Sequence, residues 1–459
     1  MHKRAIARTI SLPLVLLAAA GIGWGGPAAA AVPHDRPAGA DCGPKTPPIV
    51  TVDRSLNQVF SHQFGPGWVG GDAAYSTALP DGREAFVFSD TVIGRAKPNG
   101  SANIAGLAHN SELAGPLAHL TSYYVGSFRS PRPLIPDLRG HGDQWQVAST
   151  YVEHGEQLVF VNEFVPRVGP FERFTGRSAI AALSLSPDGT PAFHSITRLA
   201  GGPLDQWGNA VLHGTSFTYV YGSVSDTTTG TIYGMKVARV PRGRSLQLRA
   251  WRYWNGSRWV AGEAHAFTIH TGNELTGVTT QEGHDGYEAV SIPGSVRTDR
   301  TVDLSYSCSP QGPWSRPTAV YSIPQVSHLH RELAYIPTFH PELSGGSGIV
   351  VSFNLNTLDG MTPLKKDIHE YQPQFLRLGN GPSPRTPPTV VVAKNRSPSM
   401  TTDVHGAALP PIPHRSGVVA HVLRQSAELA GHLLGVSVAP LPMTGKDPGE
   451  PRQAGQPGH

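Results

Sequence analysis

The sequence predicts an all-β chain folded as a five-bladed β-propeller, and three observations predict it. Glycine and proline are in excess, at 52 and 42 of 459 residues. Together they make about a fifth of the chain against the ~12% of average usage, and both disfavour helix interiors while suiting turns. Second, one type of strand recurs: Ala85-Phe86-Val87-Phe88-Ser89, Leu158-Val159-Phe160-Val161-Asn162, Thr218-Tyr219-Val220-Tyr221-Gly222, Tyr287-Glu288-Ala289-Val290-Ser291 and Gly348-Ile349-Val350-Val351-Ser352. Their starts are spaced by about 73, 60, 69 and 61 residues, so each unit has room for four strands. Third, amphipathic helical runs are nearly absent between these strands, which argues against an α/β fold. A β-sandwich accommodates the composition but does not predict one strand type at a fixed period.

Taken from the start, residues 1–31 read as a signal peptide. His2, Lys3, Arg4 and Arg8 are a basic opening, Leu12 to Ala20 an apolar core, and Ala29-Ala30-Ala31 a small-residue cleavage pattern. The mature chain is therefore expected to begin at Val32 and to be secreted. The apolar run is shorter than the ~20 residues of a spanning helix, so no membrane insertion is expected. Residues 32–48 form a Pro/Gly/Ala-rich leader. The propeller is placed at 49–378, with Ile49-Val50-Thr51-Val52 as a strand ahead of the first unit. Residues 379–459 are a Pro-rich tail expected to be largely disordered, with one helically spaced stretch from Val418 to Leu434.

Only 15% of residues are charged and the net charge is +4. That excludes a polybasic nucleic-acid binder and an acidic disordered chain. The two cysteines, Cys42 and Cys308, read as one disulfide in an exported chain. With Cys308 assigned to the fifth unit, that bond would pin the N-terminal strand to the last blade.

The chemistry concentrates in the first unit. Gly70-Gly71-Asp72-Ala73-Ala74-Tyr75-Ser76, Leu79-Pro80-Asp81-Gly82-Arg83 and Phe86-Val87-Phe88-Ser89-Asp90-Thr91 read as strand, turn and strand. Folding about the turn brings Asp72 and Asp90 to the same end of the blade. With an odd loop centred on Asp81 they become cross-strand partners; with a two-residue Asp81-Gly82 loop they fall on opposite faces. The sequence leaves that parity open. Two carboxylates at one rim repel, and their pKa values separate, as acid/base work requires. The alternative is that both bond backbone N–H groups of turns.

Weaker candidates for substrate binding are Asn110, Glu163 at the end of the second repeated strand, Asp205 with Trp207 and Asn209 in one loop, and Glu274 ahead of the fourth strand. Trp207 is the candidate stacking platform, and Glu112 is as compatible with packing as with function. Trp251, Trp254 and Trp259 read as packing around an Asn255-Gly256 hairpin. No cofactor is required. A metal on the propeller axis is left open, with His328 and His330 alternating on a strand.

The first-unit segments Gly70-Gly71-Asp72 with Ser76, Asp81-Gly82-Arg83 and Phe86-Val87-Phe88-Ser89-Asp90-Thr91 resemble the first blade of the five-bladed propeller endo-D-arabinanases, glycoside hydrolase family 183, and their secreted actinobacterial relatives. Further echoes are Ala108-His109-Asn110-Ser111, Trp207-Gly208-Asn209-Ala210-Val211, Val237-Ala238-Arg239-Val240-Pro241, and Phe339-His340-Pro341-Glu342 running to Asn356. The resemblance covers about Phe64 to Asn356. It implies a catalytic pair at Asp72 and Asp90, a polysaccharide substrate such as D-arabinan of actinobacterial cell walls, and a monomeric enzyme. Where the pattern leads one to expect glycine after the aspartate, this chain has Ala73-Ala74. The rival expectation is a non-catalytic extracellular propeller that binds glycan and needs no carboxylate pair.

Overall fold

The computed structural model describes residues 42–379, apart from 138–143, 166–172, 187, 203–204, 226–231, 272, 282–284, 294–300, 327–331, 346–347 and 358. The predicted tail helix, His328 and His330 lie outside the described residues.

Five antiparallel sheets follow one another along the chain. The first blade runs Tyr75–Ala78, Glu84–Phe88, Ser111–Gly115 and Thr121–Tyr123; the second Gln144–Glu153, Glu156–Val165, Arg173–Leu185 and Pro191–Arg198. The third is Asp205–His213, Phe217–Ser225, Ile232–Pro241 and Arg252–Trp254, widened by Trp259–Val260 and by His270–Thr271. The fourth is Asn273–Thr280, Tyr287–Pro293, Thr301–Ser307 and Thr318–Ser322. The fifth is Glu332–Gly345, Gly348–Thr357, Pro373–Gly379 and, from the other end of the domain, Ile49–Val52. Each blade's first strand touches the first strands of the blades before and after it, and the fifth touches the first. The ring is a five-bladed β-propeller.

The recurring strand of the sequence is the second strand of every blade. Its apolar continuity has a packing reason: it lies mid-sheet, so both of its faces are buried against neighbouring blades. The core accordingly divides into interblade layers. Tyr75 and Val87 meet Val147 and Val159; Phe160 and Ile180 meet Trp207 and Val220; Tyr221 and Val237 meet Val278 and Ala289; Val290 and Leu304 meet Val351 and Phe353. At the closing seam, Phe86 and Phe88 meet Val350 and Phe375.

Between Phe64 and Asn356 the described residues hold only two short 3-10 turns, Leu248–Ala250 and Glu263–His265. Two α-helices flank that span. Helix α1 (Arg54–Ser61) buries Leu56, Val59 and Phe60, spaced as one helical face. Asp53 caps it by accepting from the Leu56 N–H at 3.1 Å and pairs with Arg377 at 2.6 Å. Helix α2 (Met361–Lys366) lies before the last strand of the fifth blade. A small three-stranded sheet, in the order Gly67–Gly71, Thr91–Ala96, Ala102–Ala108, extends the first hairpin beyond its blade.

Cys42 and Cys308 are joined, with Cα atoms 5.3 Å apart. The position of Cys308 corrects the sequence reading, however. It follows Thr301–Ser307, the third strand of the fourth blade, because the fifth blade begins only at Glu332. The bond therefore ties the segment ahead of Ile49 to the fourth blade, while Ile49–Val52 itself pairs in the fifth. Among the described residues no helix is long and apolar enough to cross a membrane.

Candidate active site

The parity that the sequence left open is odd. Tyr75 pairs with Val87 and Ala78 with Glu84, so the ladder is centred on Asp81. Leu79 N–H donates to Arg83 O at 2.8 Å across a five-residue turn. Continued upward, the same register sets Asp72 opposite Asp90: Asp72 N–H donates to Asp90 O at 3.2 Å, and Ser89 N–H to Asp72 O at 2.9 Å. Just beyond, Gly71 pairs with Thr91 in the extra sheet.

Asp72 and Asp90 thus sit where the ladder passes from the blade into that sheet, and the backbone there is unusual. Ala73 and Ala74 have φ of 80° and 47°, a region that costs L-residues roughly 1–2 kcal/mol each. Glycine would adopt it freely, which is the physical content of the glycine expected after the aspartate. Both alanines are buried in the interblade core, which holds the backbone in this conformation.

Each carboxylate has a side-chain partner of its own. Tyr335, on the first strand of the fifth blade, donates its hydroxyl to Asp72 Oδ2 at 3.2 Å, and Asn356 Nδ2 donates to Tyr335 Oη at 3.3 Å. Burial first, then the Asp72 carboxylate, hold the Tyr335 hydroxyl well above the usual range; Asp90 adds to the same effect. A neutral phenol is therefore fixed beside both aspartates. Asp90 meets His109 Nδ1 at 2.8 Å, with side-chain exposures of 36% and 26%. Its backbone oxygen accepts from Tyr371 Oη at 3.0 Å. Ser89 spans to the second blade, accepting from Val147 N–H at 3.0 Å. The pair is held from the first, second and fifth blades, on the end of the ring where first strands begin and second strands end.

The other sequence candidates divide. Asn110 is a correction: it is buried, its amide donates to Ile135 O and Trp145 O at 3.0 Å each, and its oxygen accepts from Ile135 N–H. That saturates it as a clamp on the link to the second blade. Trp207 is a second correction. Its ring is wholly buried between the second and third blades, edge-on to Tyr253 at 5.3 Å, and offers no stacking face.

Glu163 stands at the expected end of its blade but is buried against Arg177 and Thr175 Oγ1, the latter at 2.8 Å. Asp205 is buried and paired with Lys236 at 2.9 Å. Asn209 donates to Ser223 Oγ within its own blade. These three are engaged inside their blades, so their use as substrate contacts is not what the geometry favours. Glu274 lies on Asn273–Thr280, and its side chain is outside the described residues. Glu112, the weaker candidate, is fully buried between the first two blades. Among the described residues no three His, Cys, Asp or Glu side chains converge as a metal site.

Sequence reasoning missed Tyr335, Tyr371 and His109 as partners of the pair. His109 lies inside the Ala-His-Asn-Ser segment, where a signal existed. Tyr335 and Tyr371 arrive from the fifth blade, and nothing local announces them.

No curated protein matches the sequence. Among solved structures, a candidate hydrolase from Bacteroides ovatus is similar with a TM-score of 0.59 at 19% identity, over 72% of this chain and 90% of that one. A xylan β-1,4-xylosidase from Bacillus halodurans matches with a TM-score of 0.42 at 11% identity, over 69% and 54%. An α-L-arabinofuranosidase from Podospora anserina, in complex with cellotriose, matches with a TM-score of 0.36 at 9% identity, over 73% and 95%. A family model described as a domain of unknown function, DUF5005, matches residues 53–381. That span takes in every blade strand except Ile49–Val52, both helices and the carboxylate pair, and the chain belongs to this DUF5005 family.

Proposed function

We propose that this chain is a secreted glycoside hydrolase whose catalytic pair is Asp72 and Asp90, acting on a furanose polysaccharide. The observation that carries the reading is the odd register of the first hairpin, which makes the two aspartates cross-strand neighbours at one end of the ring. One carboxyl protonates the leaving oxygen while the other attacks the anomeric carbon; water, giving a proton to the first carboxylate, then displaces the second and frees the sugar. Cross-strand Cα atoms lie ~4.5–5.5 Å apart, and carboxyl groups ~5 Å apart suit the retaining displacement better than the wider inverting one.

The neighbours fit these roles. Tyr335 fixes Asp72 without adding charge, and His109 holds Asp90. D-arabinan is the substrate favoured by the motif resemblance, and the description of the Bacteroides ovatus neighbour as a candidate hydrolase agrees with the reaction class. Export rests on the signal-peptide pattern of residues 1–31 and is supported by the Cys42–Cys308 bond.

The test is the purified chain against a panel of glycans that includes D-arabinan, with reducing ends measured over time. Cleavage that disappears in Asp72→Asn and Asp90→Asn supports the proposal. Glycan binding without cleavage by the unmodified protein replaces it with the binding-propeller reading.

A further inference from the structure

The third blade is wider than the ring requires. Past its fourth strand, the hairpin from Trp251 to Trp259 adds Trp259–Val260 at the outer edge. From Ile232 to Gly262 the chain has six arginines, one lysine and no aspartate or glutamate. Lys236 is paired with Asp205, but among the described residues none of these arginines is within ion-pair reach of a carboxylate. Two of them share one face of the sheet with a row of aromatic rings. Tyr219, Arg239 and Arg252 are direct partners across three strands, and Trp254 faces Trp259 beside them. Arg239 is partly buried, its guanidinium carbon 4.2 Å from the ring centre of Phe217 and 4.5 Å from that of Trp259. Among the described residues this guanidinium makes no hydrogen bond; its Nε is shut off from solvent, and the Nη edge is the part left to an incoming acceptor. Arg252 is exposed and donates Nη1 to Arg249 O and Trp251 O at 2.9 and 2.8 Å. Phe267, 51% exposed, is tied to the same hairpin by its N–H, which donates to Trp254 O at 2.7 Å.

We infer that this outer face of the third blade is a docking surface for an acidic polysaccharide, whose carboxylates pair with Arg239 and Arg252 while its sugar rings rest on Phe267. Like charges directly opposite each other destabilise a sheet, so the unpaired Arg239–Arg252 couple stands at a cost that a bound carboxylate offsets. A guanidinium edge meets a carboxylate through two parallel hydrogen bonds, and an exposed aromatic ring suits the C–H face of a sugar. A neutral glycan would leave both arginines without an acceptor. The chain's net charge is only +4, so its basic surplus is concentrated on this one edge. That suits a thin polymer with one charge per unit better than the dense charge of duplex nucleic acid. Phe217 opens the second strand of its blade, which places this face toward the end of the ring away from Asp72 and Asp90.

The experiment titrates the full chain with polygalacturonate oligomers, neutral galactan and duplex DNA, followed by calorimetry and tryptophan fluorescence. Polygalacturonate should bind saturably and more weakly as salt rises, galactan should not bind, and DNA should bind less tightly than polygalacturonate. Arg252→Glu, at an exposed position, should weaken polygalacturonate binding by about tenfold or more. Arg239→Lys keeps the charge but loses the flat fork, and should also cost about tenfold; unchanged melting confirms its fold. Arg54→Glu makes the same charge change as Arg252→Glu on α1, an exposed position beside the seam of the first and fifth blades, and should bind as the parent does. Asp72→Asn should bind unchanged as well, whether or not the chain cleaves glycans. No saturation with polygalacturonate, equal binding of galactan, tighter binding of DNA, undiminished binding in Arg252→Glu, or equal losses in Arg54→Glu and Arg252→Glu would each overturn the inference. Binding lost in Asp72→Asn would overturn it too, by placing the polymer at the carboxylate pair.

Discussion

Asp72 and Asp90 are chemically alike and differ in company: a part-buried phenol holds one and a part-buried imidazole the other. Replacing either by Asn keeps shape and removes the ionisable group. Each single variant should fold and lose about 10²–10⁴-fold in kcat on the cleaved glycan. Asp81→Asn is the control. Asp81 lies exposed at the turn, paired with Arg83 at 2.8 Å, and its loss should leave kcat near the parent value. NMR of the first-formed product should show a retained anomeric configuration, and inversion would mean that the two carboxylates act through an intervening water.

Glu112 makes the opposite residue-scale case, a carboxyl with no solvent access. Burial pushes it to about 8 from an ordinary 4.5, against the smaller opposing effects of Gln157 and Arg83. The folded chain therefore holds a proton that the unfolded chain releases between those two values. Stability from this group is full below pH 4.5 and is lost as pH rises toward 8. Glu112→Gln removes that titration. Its melting temperature relative to the parent should rise between pH 5 and pH 8, and parallel pH profiles for the two proteins would refute the assignment.

Individual elements show what was legible in the sequence and why the rest was not. The second strand of each blade is apolar on both faces, so its period could be read directly. The first hairpin was visible in its Pro-Asp-Gly turn, but a difference of one loop residue flips every side chain, and composition cannot fix that parity. Asn110 and Trp207 misled for the same reason: a polar or aromatic residue near a strand end looks alike whether it faces the rim or the next blade. Helix α1 went unread because it has only eight residues, and its partners Phe375 and Arg377 lie over three hundred positions away. Asp53 serves α1 both as N-cap and as partner of the buried Arg377 guanidinium. Asp53→Ala should therefore cost more than a cap alone, about 3–5 kcal/mol in denaturant unfolding. A loss near 1 kcal/mol would mean that Arg377 finds another acceptor.

At the scale of the whole molecule, stability depends on closing a ring whose ends are far apart in sequence. Ile49–Val52 completes the fifth blade by pairing with Pro373–Gly379. Beside that seam, His340 bridges Ser76 of the first blade and Ser352 of the fifth. A strand added from the other terminus can fray independently of the remaining blades, because only its edge pairing and one face hold it. The disulfide opposes this fraying from the neighbouring blade. Cys42 is anchored to the fourth blade through Cys308, and Gln281 Nε2 also donates to Cys42 O at 2.6 Å. The segment from Cys42 to Val52 therefore starts against the fourth blade and ends paired in the fifth, and the bond limits how far Ile49–Val52 can leave its place. The bond spans 266 residues, for which chain entropy alone gives about 5 kcal/mol as an upper value. The double variant Cys42→Ser/Cys308→Ser should lower the unfolding free energy by about 2–5 kcal/mol. If the seam argument holds, hydrogen exchange should accelerate first in Ile49–Val52 and Pro373–Gly379, ahead of the second and third blades. Uniform acceleration across all five blades would show that the bond acts only on the unfolded chain and not on the closure of the ring.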